Sequence, residues 1–127
     1  MRVFMKTRSR EISRNQWKRF FDETSRHYRG RTVDLLCEQP GKRARALARD
    51  MPFIGCTFEP DDTETPNLVV RAGNLTDGNP RLVTHVLPTP QHVWMRQIAN
   101  GGDNAICIES ADGSSLTVEF AAANEFE

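Results

Sequence analysis

SRNQWKRFFDETSRHYRGRTVDLLC, residues 13–37, decides the fold, because the spacing of its apolar residues changes from helical to alternating. From position 17 to position 28, four aromatic residues and one threonine follow i, i+3, i+4, i+7 and i+11 spacing, which forms one stripe along a helix. The stripe consists of Trp17, Phe20, Phe21, Thr24 and Tyr28. After Gly30 the apolar residues alternate, as in a half-buried strand. We therefore predict a helix over residues 14–28, followed at once by a strand.

Both ends of the predicted helix carry recognisable signals. Ser13 is a favourable N-cap residue, and Gln16 three positions later completes a capping box. Ile12, just before the cap, is placed to pack on Trp17 as a hydrophobic staple. Gly30 can adopt the left-handed conformation that ends a helix.

Seven short segments after the helix show the period-two pattern of strands. They span residues 32–37, 53–58, 67–72, 81–87, 92–98, 105–110 and 115–120. Turn clusters rich in Gly, Pro, Asn and Asp separate them, and Asp112-Gly113 between the last two is the clearest hairpin signal. One face of that hairpin is predicted to carry Ile106, Ile108, Leu116, Val118 and Phe120.

Residues 42–51, KRARALARDM, fit two structures. Ala44, Ala46 and Ala48 alternate as in a strand, whereas Ala44, Leu47, Ala48 and Met51 have helical spacing among strong helix formers. The short strands on either side favour a strand, and the local sequence leaves the choice open.

These elements predict an α+β fold that is mostly β: an N-terminal helix followed by a small antiparallel β-barrel or strongly bent sheet of about seven short strands. We divide the chain into a flexible N-terminal segment (1–9), a single helix-plus-β-barrel domain (10–120) and a frayed C-terminal tail (121–127). The helical stripe should face the core. Trp17, Phe20 and Phe21 are then buried, and Phe21→Ala should cost about 3–5 kcal/mol.

Composition excludes several classes of protein. With 38% hydrophobic and 27% charged residues in 127, the chain is typical of one globular domain. Apolar runs are only a few residues long, so we expect neither a membrane span nor a secretory signal. The three cysteines, Cys37, Cys56 and Cys107, form no CxxC or CxxH pair, which indicates buried free thiols in a reducing cytoplasm.

Charge is unevenly distributed although the total is zero. Residues 1–49 hold 14 Lys and Arg against 5 Asp and Glu, and residues 50–127 hold 3 against 12. Either the two halves neutralise each other in one domain, or the basic half binds an anionic partner such as nucleic acid. The residues proposed for that patch are Arg14, Lys18, Arg26, Arg29, Arg43 and Arg45. On the helix these residues lie opposite the aromatic stripe, so base-stacking aromatics cannot interleave with them, and nucleic acid is not favoured.

Candidates for catalysis or metal binding are few. His85 and His92 lie in consecutive predicted strands, and if those strands pair, the two imidazoles with a carboxylate could form a metal site or a small enzyme's active site. Cys107 beside either histidine would supply a nucleophile. No HxH or HxxxH spacing and no nucleophile motif supports these sites. We therefore assign no catalytic, metal or cofactor-binding residue and expect no cofactor.

Four segments together resemble a small bacterial family, a domain of unknown function of a little over a hundred residues. They are residues 10–30, 46–59, 83–97 and 105–120. They resemble an REIP-type start, a helix with Trp and Phe, an ARDLP-like segment and an ES-DG hairpin, in that order along nearly the whole chain. The chain departs from the family at Ser13, where members have proline, and at Arg31, where members have an aromatic residue. The family's start also resembles MKTR at Met5, which leaves open whether translation begins at Met1 or Met5.

The resemblance implies the fold and a bacterial origin and adds nothing about chemistry. Together with the missing catalytic motifs, it predicts an uncharacterised, non-enzymatic interaction or accessory module. The expected partner is another protein or a second copy of the chain, with no membrane involved. Nucleic-acid binding through the basic half is the first alternative, and a small enzyme or metal site around His85 and His92 is the second.

Overall fold

The computed structural model describes residues 7–59, 66–75, 78–98 and 104–121. One helix and eight strands make up these ranges, so the fold is mostly β, as predicted. In chain order they are β1 (Thr7–Glu11), α1 (Trp17–His27), β2 (Thr32–Glu38), β3 (Arg45–Glu59), β4 (Asn67–Asn74), β5 (Arg81–Leu87), β6 (Pro90–Ile98), β7 (Asn104–Ser110) and β8 (Ser115–Phe120). No helix in the described ranges is long and apolar enough to cross a membrane.

The eight strands form one antiparallel sheet in the order β1-β6-β7-β8-β2-β3-β4-β5. Among the described strands no pairing joins β1 to β5, so the barrel named in the prediction is wrong, as is the count of about seven strands. The additional strand β1 has the sequence TRSRE, which contains no apolar residue and so gives no alternation to detect. It begins at Thr7, inside the segment 1–9 that we expected to be flexible.

The long strand β3 includes most of the ambiguous segment 42–51, which is therefore a strand from Arg45 onward. Its first half pairs with β2 through Pro52, and its second half pairs with β4 from Phe53. The backbone changes direction near Asp50, where φ is +52° and the amide donates to Asp34 Oδ1 at 2.9 Å. The conformation of β3 is decided by its pairing with two different strands. Local strand propensity does not encode that pairing.

The start of α1 differs from the predicted capping box. Arg14–Gln16 form a 3-10 turn, and the Ser13 side chain makes no capping hydrogen bond. The Trp17 indole N–H instead donates to the Ile12 carbonyl oxygen at 2.9 Å, so these two buried residues meet through a hydrogen bond. Gly30 has φ +87°, which confirms the left-handed residue after the helix.

The aromatic stripe of α1 packs against the second half of β3. Trp17 stacks on Phe58, and Phe21 meets the same ring edge-on. Trp17 and Phe21 are buried as predicted, but Phe20 is only half-buried at the margin of the core. Ser25 lies further along the helix, and its hydroxyl accepts from the Cys56 amide at 2.9 Å and donates to the Cys56 carbonyl at 3.1 Å.

The β7–β8 hairpin agrees with its prediction. Ile106, Ile108, Leu116, Val118 and Phe120 are fully buried on one face. The turn contains Gly113 at φ +90°, and the Ser114 amide donates to Asp112 Oδ1. Phe120 stacks on Tyr28 and meets Phe53 edge-on, which joins the hairpin to the helix and to β3. Beyond β8, the Ala121 amide donates to the Thr32 carbonyl, and the rest of the predicted tail lies outside the described residues.

Candidate functional site

The six basic residues of the predicted anionic-partner patch are exposed in two groups. Arg14 and Lys18 belong to the first turns of the helical segment, and Arg26 and Arg29 lie at its end. Arg43 and Arg45 lie where the chain enters β3, with Arg45 opposite Cys37. The helix end leads into Thr32, and β2 then runs about 17 Å from Thr32 to Cys37, which lies opposite Arg45.

The large aromatic rings beside these basic residues are not available to stack on bases. Trp17 and Tyr28 are buried, and each is covered by a guanidinium of the chain itself. Arg14 Cζ lies 5.2 Å from the centre of the Trp17 ring, and Arg31 Cζ lies 4.7 Å from that of Tyr28. Trp17 and Tyr28 are therefore each paired with a guanidinium of the chain itself, and neither ring faces outward as a platform for a base.

His85 and His92 do not meet, because β5 and β6 are consecutive in the chain but not neighbours in the sheet. His85 points to the core side and His92 to the opposite face, where its Nδ1 lies 2.9 Å from Glu11 Oε2. The sequence-based hypothesis of a site around both histidines is thus wrong in its geometry. Nowhere in the described ranges do three or more His, Cys, Asp or Glu side chains come together as a metal site.

A different cysteine meets His85. The Cys37 sulfur lies 3.9 Å from His85 Nε2, joining β2 to β5 across the interior. Burial, together with the positive charge of Arg45, lowers the pKa of His85 below its usual 6.5. Cys37 itself is only 5% exposed, which leaves no approach for a substrate. The contact belongs to the core, and sequence reasoning missed it because the two residues lie on non-consecutive strands.

The other cysteines also differ from one another in surroundings. Cys56 is completely buried, which raises the pKa of its thiol to about 12. Cys107 is half-exposed on the face opposite Ile106 and Ile108, as alternation predicted. Neither histidine contacts it. Its sulfur instead accepts hydrogen bonds from Arg96 Nη2 at 2.9 Å and from Thr117 Oγ1 at 3.7 Å.

Cys107 lies at the centre of a surface that we call the outer face: the side of strands β1, β6, β7, β8 and β2 that points away from the core. Residues opposite each other on neighbouring strands share a face, so the register defines this surface. One row crosses four strands in continuous register, and each of its members is half-buried. The row consists of Trp94, Cys107, Thr117 and Leu36.

Carboxylates surround this row. Glu109 and Glu38 lie on one side of it, Glu119 and Asp34 on the other, and Glu11 beside Trp94 at the sheet edge. Arg49 pairs with Asp34 at 3.3 Å, and His92 contacts Glu11 while stacking on Trp94. With the residues that the structure describes, Glu38, Glu109 and Glu119 form no ion pair. The outer face thus has a half-buried centre and an acidic rim.

Two cavities lined by described residues are small for a ligand. Within the described ranges, every buried side-chain nitrogen or oxygen has a hydrogen-bond partner. A cavity of about 200 Å³ beside Asp34, Asp50 and Glu119 is small for a ligand, and Asp34 is already occupied by Arg49 and the Asp50 amide. A second cavity, of about 250 Å³, lies between the helix and β3 and is lined by Lys18, Asp22 and Phe58 among others.

The outer face was not predicted as a site. Alternation within β6, β7 and β8 predicts which of their residues lie on this face. The sequence carries no signal that β2 adjoins β8, so it does not predict that Leu36 completes the row. Only the strand order brings Leu36 and Trp94 onto one surface.

The family model described as "Family of unknown function (DUF5335)" matches residues 8–126. No curated protein and no solved structure matches the chain.

Proposed function

Because this chain belongs to DUF5335, a family of unknown function, its role has to be inferred from its own surface, and we propose a non-enzymatic interaction module. On this proposal the outer face binds a protein segment that carries lysine or arginine side chains. The observation that carries the proposal is the row of Trp94, Cys107, Thr117 and Leu36, half-buried and in register, inside a rim of carboxylates.

The row has the composition of an interface centre. Protein interfaces combine a desolvated centre, enriched in aromatic residues, with a polar rim that stays in water. Trp94 is the largest side chain of the row and the residue type most often found as an energetic hot spot. Its ring already rests on His92, so it is partly ordered before a partner binds and loses little side-chain entropy.

The negative charge of the rim determines that the partner segment must be positively charged. Glu38, Glu109 and Glu119 are exposed, and Arg96 on the same face contacts the Cys107 sulfur and forms no ion pair with these three carboxylates among the described residues. A basic segment would therefore meet unneutralised carboxylates, which favours its encounter and its orientation. The same carboxylates would repel a phosphate backbone, so nucleic acid is not the partner that this face favours.

Two arginine–carboxylate ion pairs of the described residues each lie within one half of the sequence, and a third contact, between His92 and Glu11, joins the two halves. Arg49–Asp34 lies within the basic half of the sequence, and Arg71–Glu59 lies within the acidic half. Neither of these pairs neutralises one half with the other. Glu109 and Glu119 on the rim form no ion pair with the described residues, and on this proposal they act on the partner.

Binding to defined probes tests the proposal. Fluorescence anisotropy would compare a labelled short oligo-arginine peptide, an oligo-glutamate peptide and a short single-stranded RNA at two salt concentrations. We expect only the cationic peptide to bind, more weakly at high salt because exposed charges are screened. Trp94→Ala should weaken binding at least roughly 30-fold, as for a hot-spot aromatic.

A charge reversal tests whether binding depends on the outer face or only on the net charge of the protein. Glu109→Lys on the rim should weaken peptide binding roughly tenfold, since it removes one attraction and adds one repulsion. Glu23→Lys on the exposed side of α1 makes the same charge change elsewhere and should leave binding nearly unchanged. Equal loss in both variants, or binding of the RNA alone, would overturn the assignment of the outer face.

A further inference from the structure

The two edges of the open sheet are built differently. An edge strand exposes unpaired backbone N–H and C=O groups, and proteins protect such edges with charges, prolines or bulges. The edge strand β1 carries Arg8, Arg10 and Glu11 among its five residues. The other edge strand, β5, has the sequence RLVTHVL, with Arg81 at its first position and neither a proline nor a carboxylate.

β5 is also regular and apolar on the surface. It pairs with β4 without a register shift over seven residues, whereas the β2–β3, β3–β4 and β6–β7 pairs all contain a shift. Leu82 is 53% exposed and Val86 is 48% exposed, both on the side away from the core. Among the residues that the structure describes, no strand lies on the second side of β5.

From this edge we propose that the protein forms a dimer in which β5 pairs antiparallel with β5 of a second copy. The two-fold axis is perpendicular to the sheet and passes beside Thr84. Such pairing is isologous, so both copies use the same surface and the assembly closes at two subunits. It would join two open sheets into one continuous sheet and cover the unprotected edge of each.

The sequence of β5 is self-complementary about Thr84. A two-fold axis there places Leu82 opposite the partner's Val86, so that the two exposed apolar residues cover each other. Thr84 meets the partner's Thr84, a pair that can hydrogen-bond across strands. Arg81 lies opposite the partner's Leu87, so no like charges face one another.

Other registers lose these matches. An axis at Val83 would place Leu82 opposite the partner's Thr84 and Arg81 opposite the partner's His85. An axis at His85 would leave Leu82 beyond the end of the paired strand. Pairing about Thr84 uses all seven residues and forms roughly six to eight backbone hydrogen bonds, because alternate opposite pairs each exchange two.

The oligomeric state of the full chain tests the dimer. Sedimentation or light scattering should give a dimer mass for the wild type and a monomer mass for the double variant Leu82→Lys with Val86→Lys. Leu75→Lys replaces another exposed leucine, 59% exposed and outside the strand, and should stay dimeric. A wild type that is monomeric up to millimolar concentration, or a dimer that survives the double substitution, would overturn the proposal.

Disulfide trapping tests the register in the folded protein. With Cys107→Ala as background, Thr84→Cys should give a covalent dimer with a mild oxidant, because opposite Cβ atoms lie about 4.5–5.5 Å apart. Arg81→Cys should not, since its two copies lie about 20 Å apart in this register. Cross-linking of Arg81→Cys at the same rate as Thr84→Cys would contradict the two-fold at Thr84.

The dimer proposal and the proposed binding role of the outer face can be tested independently of each other. Trp94→Ala should weaken peptide binding roughly 30-fold and leave the dimer mass unchanged, whereas Leu82→Lys with Val86→Lys should become monomeric and still bind the peptide. A monomeric wild type that binds the peptide would remove the dimer and leave the proposed function standing.

Discussion

Ser25 Oγ makes two hydrogen bonds to a single residue of β3, accepting from the Cys56 amide and donating to the Cys56 carbonyl. At this point β3 pairs with β4 on its other side, so the serine hydroxyl takes the place of a neighbouring strand. One side chain of the helix thereby provides hydrogen-bond partners for both the N–H and the C=O of a buried strand residue. Without Ser25, burial would leave these two groups without the partners that water gives them in the unfolded chain.

Ser25→Ala should therefore destabilise the protein by about 1–3 kcal/mol, the cost of leaving a buried backbone group unsatisfied. Ser13→Ala is the matched control, because the Ser13 side chain makes no capping hydrogen bond. Chemical denaturation of both variants checks this. A loss in Ser25→Ala no larger than in Ser13→Ala would show that water replaces the hydroxyl at Cys56.

The two neighbouring phenylalanines of α1 should differ in their contribution to stability. Phe21 is 1% exposed and packs against Phe58, whereas Phe20 is half-buried. Phe21→Ala should cost about 3–5 kcal/mol as a large cavity in a closed core. Phe20→Ala should cost clearly less, since water can fill the space. Thermal melts of both variants decide, and equal midpoints would contradict the packing described here.

Gly73 permits the close approach of β4 and β5. A Cβ atom there would lie 2.2 Å from the Arg81 carbonyl oxygen and 2.9 Å from Leu82 Cα, both backbone atoms. Gly73→Ala should push the strands apart and cost about 1–3 kcal/mol. Gly78→Ala has no atom within 4 Å of the added carbon and should be tolerated. If both substitutions melt like the wild type, the strands are not this close.

His85 should make stability depend on pH. Burial, with Arg45 nearby, lowers the pKa of His85 below 6.5 in the folded chain, so below that pH the unfolded chain binds a proton that the folded chain resists. Stability is then complete above pH 6.5 and falls as the pH drops through the range between the unfolded and folded pKa values. Melting temperatures measured from neutral to mildly acidic pH report this loss.

Substitutions assign that pH dependence to the histidine. His85→Gln should flatten the acid side of the profile, and Arg45→Gln should reduce the loss by removing the adjacent positive charge. Arg43→Gln leaves Arg45 in place and serves as the control. A profile that is unchanged in His85→Gln would place the titrating group elsewhere.

The three thiols should react in sequence. Cys107 is half-exposed, whereas Cys37 is 5% exposed and Cys56 is fully buried. A thiol reagent should label one cysteine of the native protein and all three after unfolding, because access controls reaction. Cys107→Ala should abolish native labelling. Rapid modification of Cys37 in the native protein would show that the interior opens near His85.

Local patterns predicted the elements far better than their arrangement. The helix, its Gly30 end and the β7–β8 hairpin follow from periodicity and turn residues that are close in sequence. The strand β1 escaped because TRSRE has no apolar residue, and an edge strand needs none. The conformation of residues 45–51 depends on pairing with β2, which lies outside the segment 42–51 whose residue spacing fits both a helix and a strand.

Sites were harder still, because chemistry depends on non-local pairing. Cys107 and His85 were considered together from residue type alone, whereas the strand order places Cys37 beside His85 and Arg96 beside Cys107. The capping box failed for a different reason. The Trp17 indole bonds to Ile12, and a 3-10 turn replaces the first turn that Ser13 would have capped.

The pairing of β2 with β8 has a consequence for synthesis. Val33 in β2 lies opposite Phe120 in β8. The pairing of β2 therefore cannot be completed until β8, which follows it by six strands in chain order, has been synthesised. During translation β2 can pair with β3, but its other edge stays open until β8 has left the ribosome. Contacts this distant in sequence slow folding, because the loop must close before they contribute. The exposed edge of β2 is then a place where a nascent chain can associate wrongly or bind a chaperone.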